Sequence, residues 1–360
     1  MWFDILIVPI KALFFLTCVL TLTSLLTWME RKQSAVMQDR LGANRAPIMG
    51  VRAFGLCHIV SDALKMFFKE DYVPPAGDRL LHTIAPFTAL FFALMSFAAI
   101  PFGDTLRIGE RVVELQVLPL NVSLLFVFAM MSLGIYGTFL AGFSSNNKYA
   151  FLGGLRACSQ MISYEITMGA TLVGLLMIYG SLDLAELNRA QGELLWGWLP
   201  KWGIFFQPLG FILFVAAGMA ETKRIPFDLP EGESEIIGYF VEYSSMKFGA
   251  FFMTDFVETI LVAALIATLF FGGWQVPYLQ ADGFHFPGGF SLAVSHPVVV
   301  LLQMAAFAFK VVFFCWFLLL IRWTLPRFRY DQVMRLGWKY LLPASVLNIF
   351  LTALLLLAIR

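Results

Sequence analysis

Charge is scarce in this 360-residue chain. Asp, Glu, Lys and Arg together make up 14%, against 59% hydrophobic residues and a mean hydropathy of +0.79. That balance excludes an ordinary soluble domain and indicates an integral membrane protein, a single membrane domain over 1–360. The net charge of +1 leaves no general basic surface for nucleic acid. Cysteine is sparse too: Cys18, Cys57, Cys158 and Cys315 stand far apart with no CxxC pair, which argues against an iron–sulfur cluster, a zinc site or a disulfide framework. His58, His82, His285 and His296 do not form the two facing pairs that a membrane b-type haem needs, and no glycine-rich nucleotide loop follows a strand. The chain is therefore expected to carry no redox centre of its own. Internal repeats and low-complexity segments are missing as well, and the amino terminus, without a small-residue cleavage site, reads as a retained first helix.

What remains is long apolar runs. Stretches near 4–29, 80–101, 120–142, 157–180, 203–221, 248–272, 298–321 and 339–358 are each long enough to cross roughly 30 Å of hydrocarbon. Continuous runs suit helices, whereas a closed barrel needs short alternating segments. The fold expected is all-α: about eight transmembrane helices plus an amphipathic interfacial helix. Loops after spans one, three, five and seven hold Arg31, Lys32, Arg40, Arg45, Arg52, Lys65, Lys69, Arg79, Lys148, Arg156, Lys223, Arg224, Lys247, Arg322, Arg327, Arg329, Arg335 and Lys339, against Arg107, Arg111, Arg189 and Lys201 opposite. This bias places the first set in the cytoplasm or mitochondrial matrix, and both termini outside.

Between spans one and two, over 49–70, Leu56, Ile59, Val60, Ala63, Leu64 and Phe67 repeat with helical spacing, and His58, Asp62, Lys65 and Lys69 take the other face. Such a helix is a surface anchor or a doorstep for an amphiphilic ligand. The insert 273–297, rich in Gly, Pro and aromatics, reads as a capping loop on the opposite side.

The few charges are concentrated. Over 221–247, a loop between spans five and six, lie Glu221, Asp228, Glu231, Glu233, Glu235 and Glu242. Carboxylates two residues apart repel, so cations must neutralise them or some must hold protons near neutral pH. Glu165 lies two to three turns inside span four, where a charge costs about 2.5–3.5 kcal/mol and so faces protein or water with a partner. A functional role, carrying a proton, is favoured for it over a structural hydrogen-bond anchor. Lys310 lies mid-span seven, and a carboxylate partner is expected for it. Asp255 and Glu258, three residues apart at the start of span six, share a helical face and could share a proton or a cation. Glu30-Arg31-Lys32 closes span one, where snorkelling anchorage is the simplest reading; Lys11 is most simply an anchor.

Glu30-Arg31-Lys32, Asp39 to Arg45, Asp62 to Asp71, Ser144 to Tyr149, Arg156 to Glu165, Glu221 to Glu235, Glu242-Tyr243-Ser244 and Arg327 to Gln332 closely resemble, in order and over essentially the whole chain, the quinone-chamber membrane subunit family of respiratory complex I, proton-translocating NADH:quinone oxidoreductase. The resemblance implies a subunit at the heel of that complex, forming the quinone tunnel with peripheral-arm subunits and acting beside antiporter-like membrane subunits. Quinone would be substrate, while NADH, FMN and the iron–sulfur clusters would belong to partners. By motif match, Arg31, Arg40, Asp62, Lys65, Arg224 and Phe227 would line the tunnel or its mouth. Glu30 would join the polar network there, and Glu165, Glu221, Glu231, Glu233, Glu235 and Asp255 an acidic channel coupling quinone chemistry to proton translocation. Ala43 stands where the family commonly has Pro, and Asp255 where Glu is usual. The rival readings are the membrane anchor of a related energy-converting hydrogenase and an autonomous ion transporter. A bacterial plasma membrane is the expected location.

Overall fold

Hydrocarbon offers no hydrogen-bond partners, so each apolar run must satisfy its backbone internally, and helices do this residue by residue. A computed structural model describes the chain except residues 1, 49, 109–110, 196–197, 233–234, 237, 281, 287–290 and 360. Its helices are α1 (Trp2–Met37), α2 (Cys57–Phe68), α3 (Arg79–Ser96), α4 (Ser123–Ser144), α5 (Lys148–Tyr179), α6 (Leu184–Gln191), α7 (Gly203–Phe206), α8 (Pro208–Glu221), α9 (Ser245–Phe270), α10 (His296–Thr324), α11 (Tyr330–Arg335) and α12 (Leu342–Ile359). Among the described residues, seven helical stretches are long and apolar enough to span a membrane, the last running from α11 through a π-helical turn into α12. The chain is an all-α integral membrane protein.

The fifth expected span differs in detail. Over 203–221 the helix breaks at Gln207, and α8 has 14 residues, about 21 Å at 1.5 Å per residue and shorter than the hydrocarbon. Pro208 starts α8, where its missing N–H costs nothing. The Gln207 amide occupies the break, accepting from Asn348 Nδ2 at 2.6 Å and donating to the Thr352 hydroxyl, both on α12.

At the centre stands α9. It is apolar all round, as a helix enclosed by others must be, and residues 257 and 260–267 are all at most 2% exposed. Around it pack α1, α2, α3, α8 and α10. The connections sort to two ends. At one end lie the hairpin β1–β2 (Thr105–Ile108, Arg111–Glu114), the short pair β3–β4 (Leu194–Leu195, Leu199–Pro200) and a three-stranded sheet, β5 (Leu279–Gln280), β6 (Gly283–His285) and β7 (Ser291–Ala293). They are tied together by Arg189 to Asp104 at 3.0 Å and Tyr278 Oη to the Trp198 carbonyl at 2.6 Å. The insert expected as a capping loop thus folds into a small sheet. At the other end lie α2 and residues 222–244.

Lys310 departs from expectation. Its ammonium donates to the carbonyls of Phe271, Gly273 and Gln275 at 2.8, 2.9 and 2.7 Å and lies 5.0 Å from the centre of the Trp202 ring. These carbonyls, in the segment that follows the negative C-terminal end of α9, replace the carboxylate.

Helices α3 and α4 approach closely at Gly137, where an added Cβ would lie 2.6 Å from the Ala89 nitrogen and Cβ. Gly137→Leu is therefore expected to cost about 1–3 kcal/mol by overpacking, lowering the melting temperature of the detergent-solubilised protein. Gly169→Ala, with open space at its Cβ position, should leave it unchanged.

Candidate functional site

The described residues of 222–244 pack against the helix ends, and the loop's first two cations, Lys223 and Arg224, are buried. Lys223, 2% exposed, places its ammonium 3.2 Å from Glu258 Oε2 and 3.4 Å from Asp255 Oδ1, two acids on one face of α9. Burial alone would lower the affinity of Lys223 for its proton, but Glu258 foremost, with Tyr239 and Asp255, outweighs it and pushes the pKa up. The next residue turns the other way. Arg224 bonds Glu30 Oε2 of α1 at 2.9 Å with its guanidinium 3.8 Å over the Phe256 ring, and Arg322 of α10 bonds Glu30 Oε1 at 2.6 Å. Glu30 is thus a bridge between two arginines rather than a snorkelling anchor. Removing one member of such a buried set commonly costs about 3–5 kcal/mol, because the others stay buried and unpaired.

Beyond Lys223 the acids continue into the bundle. Glu221, at the end of α8, is 1% exposed, and neither carboxylate oxygen has a hydrogen-bond partner among the described residues. Its charged neighbours are Glu258, Glu165 and Lys223. A cavity of about 10 Å³ lies among Glu221, Glu258, Met131 and Gly134, close to the least space one water occupies. Glu165 on α5 accepts a short hydrogen bond from the Ser132 hydroxyl on α4. Glu258, Glu221 and Glu165 form a row leading away from Lys223.

The loop acids divide. Glu231 is half-buried, and its carboxyl is pushed up to about 8 by burial and by the Asp255 and Asp228 charges, against Arg224 and Arg322. Burial likewise raises Asp228 to about 6, opposed by Arg327 and Arg322. Glu235 is instead paired with Arg156 of α5 at 2.6 Å, and Glu242 accepts from Asn147 at 2.6 Å. Glu233 lies outside the described residues.

Beside the Glu30 bridge opens a cavity of about 550 Å³, lined by Glu30, Arg31, Ser34, Arg40, His58 and Trp323 among others. Arg31 reaches Asp62 of α2 at 2.6 Å, and Arg40 bonds Gln38 at 2.6 Å. Helix α2 turns its half-buried residues His58, Asp62 and Met66 towards the protein and leaves Val60, Leu64 and Phe67 exposed. Its neighbour Lys65 is exposed as well. Phe227 takes a different place: 5% exposed, it packs between Tyr164 and Phe328 with ring centres 5.7 Å away on either side. It backs the joint and does not line this cavity.

The structure therefore brings Glu30, Arg31 and Arg40 to the wall of one cavity, with Asp62 and Arg224 bonded to Arg31 and Glu30, and Glu165, Glu221, Asp255 and Glu231 into the acidic set behind it. Sequence reasoning passed over Lys223 and Arg322, counted only for sidedness, and left Glu258 outside the candidate set. The signal was present: two acids three residues apart on a buried helix face require a cation, and the nearest loop opens with Lys-Arg.

A family model described as NADH dehydrogenase matches residues 10–353. The chain is 43% identical over 343 residues to the NADH-quinone oxidoreductase H subunit of Thermomicrobium roseum, covering 94% of this chain and 93% of that one. It is 40% identical over 354 residues to the H subunit of Flavobacterium psychrophilum, covering 98% and 97%, and 39% identical over 353 residues to the H subunit of Flavobacterium johnsoniae, covering 97% and 94%.

The raised acids set a pH dependence. Asp228 and Glu231 stand above their ordinary values of 3.8 and 4.5, so the folded joint holds these protons more tightly than the unfolded chain does. The stability this provides is complete below those ordinary values and is lost as pH rises through about 6 and then about 8. The melting temperature of the purified protein should fall between about pH 4 and about pH 8, and Glu231→Gln should abolish the part of the fall above about pH 6. A profile identical in the variant would contradict the assignment.

Proposed function

Because the chain belongs to the NADH dehydrogenase family and is a membrane subunit of NADH-quinone oxidoreductase, we propose that the cavity beside Glu30 is its part of a quinone tunnel and that the Lys223 joint couples quinone reduction to proton translocation. One observation carries the reading. Consecutive residues of one loop face two sites: Arg224 holds Glu30 at the cavity, and Lys223 holds Asp255 and Glu258 at the head of the acidic row.

Two-electron reduction of a quinone takes up two protons, so the charge in the chamber changes during turnover. A unit charge about 4 Å from another shifts its energy by roughly 4 kcal/mol at an effective dielectric constant near 20. That is ample to move a proton between carboxylates whose affinities are closely matched. The guanidinium groups of Arg224 and Arg322 respond through Glu30, which lines the cavity and bonds both. Their shift loosens or tightens Glu30, the loop transmits it to Lys223, and the Glu258, Glu221 and Glu165 carboxyls redistribute protons. Electrons arrive from peripheral-arm partners that carry FMN and the iron–sulfur clusters and oxidise NADH, and antiporter-like membrane subunits take up the energy released.

Helix α2 forms the mouth. Its exposed Val60, Leu64 and Phe67 lie in the bilayer interface and its Asp62 holds Arg31 at the rim. The end bearing most of the cations faces the cytoplasm of a bacterial cell and both termini face outward, in keeping with the positive-inside bias and the bacterial relatives.

Lys223→Met should lower quinone reductase activity and proton pumping of the assembled complex by tenfold or more, while NADH oxidation by a soluble artificial acceptor continues at its normal rate. Normal quinone activity in that variant would sink the coupling role. Asp62→Asn combined with Lys65→Ala should raise the apparent KM for quinone several-fold with little change in kcat, and an unchanged KM would leave α2 a mere anchor.

A further inference from the structure

Lys310 takes no part in the site described above, yet its setting is specific. It comes from the middle of α10, and its three donors meet three backbone carbonyls of the segment 271–275, just past the end of α9. A neutral amine has only two N–H groups, so this arrangement uses every donor of the ammonium and belongs to the charged form. The Trp202 ring lies beneath the cation. A second clamp holds the same end of α9. Gln191 of α6 donates to the Thr268 carbonyl at 2.9 Å and accepts from the Gly272 N–H at 2.9 Å.

The opposite half of α9 carries Asp255 and Glu258 against Lys223. Between Glu258 and Phe270 the helix rises about 18 Å at 1.5 Å per residue, with apolar residues on every side. In a membrane, apolar side chains are as content against lipid as against protein, so directional polar bonds take a larger share in fixing helix register. The bonds from Lys310 are of that kind: they oppose both rotation and axial sliding of α9.

We propose that Lys310 is a positioning residue for the proton-coupling joint, pinning the far end of α9 so that Glu258 and Asp255 keep their register on Lys223. This rests on the coupling role assigned above to the Lys223–Glu258 pair. Glu258 is faced by Lys223, Arg224 and Tyr239 from the loop, by Glu221 from α8 and by Asp255 from its own helix. A shift of α9 by a fraction of a turn therefore changes the balance of charges about it and alters the pH profile of turnover at a distance from the substituted side chain.

The test uses the complete complex in native membranes, with quinone reduction normalised to NADH oxidation by a soluble acceptor, across pH. Lys310→Met keeps the bulk and removes every donor. It should reduce the normalised rate at least threefold and displace the pH profile, whereas Lys310→Arg, which retains charge and donors, should restore both. Glu258→Gln is measured alongside. If it displaces the profile and Lys310→Met does not, this inference fails and the coupling role stands; if Glu258→Gln itself leaves the profile in place, the coupling role fails. A normalised rate lowered by the same factor at every pH, or a loss of complex with normal turnover in what remains, assigns Lys310 to packing alone and overturns the proposal. Should Lys310→Met not accumulate at all, Lys310→Gln, which keeps two donors, replaces it, and a wild-type rate and profile in that variant likewise overturn the proposal.

Discussion

The polar joint of this membrane protein is organised by the contact between one buried ammonium and two carboxylates. Lys223, 2% exposed, stands against Asp255 and Glu258. Neither the cation nor the acids could be so enclosed alone, since an unpaired buried charge costs several kcal/mol. Together they fix where the loop after α8 re-enters the bundle. That placement in turn determines which way Arg224 projects, where Glu30 finds its two arginines, and how close Glu221 stands to Glu258. The apolar helices supply a frame; the ion pairs decide its internal register.

The central helix is the member through which these ties are connected. It meets the loop cations at one end and the carbonyl clamp of Lys310 at the other, and it is enclosed along most of its length. A helix so placed moves only if both sets of polar bonds yield. The chemistry at its ends is therefore linked by a stiff body rather than by a chain of side-chain contacts, and it supplies the rigid support that precisely spaced proton sites require.

Much of this was legible beforehand, for identifiable reasons. Spans follow from hydropathy because a backbone in hydrocarbon has so few options, and α2 announced itself by the spacing of Val60, Leu64 and Phe67. Glu165 stood out because charge inside a span is costly. The break at Gln207 was hidden, since a four-residue helix and a short one are together as apolar as a single span. Lys310 misled for a different reason: its partners are backbone carbonyls, which no residue type advertises. Lys223 and Arg322 were overlooked because loop cations are counted for sidedness and only the tertiary fold turns them inward. Phe227, placed at the tunnel by motif match, packs between Tyr164 and Phe328, and a motif does not say which rings meet.

The Glu30 bridge also bears on the order of events during synthesis. Arg224 follows its partner by 194 residues, and Arg322 comes later still. Spans enter the membrane roughly as the ribosome delivers them, so Glu30 reaches the bilayer long before either guanidinium exists. Until then it must remain hydrated at the margin or carry a proton. The polar centre of the finished protein is accordingly among the last parts to close, sealed when α10 draws Arg322 in beside α1.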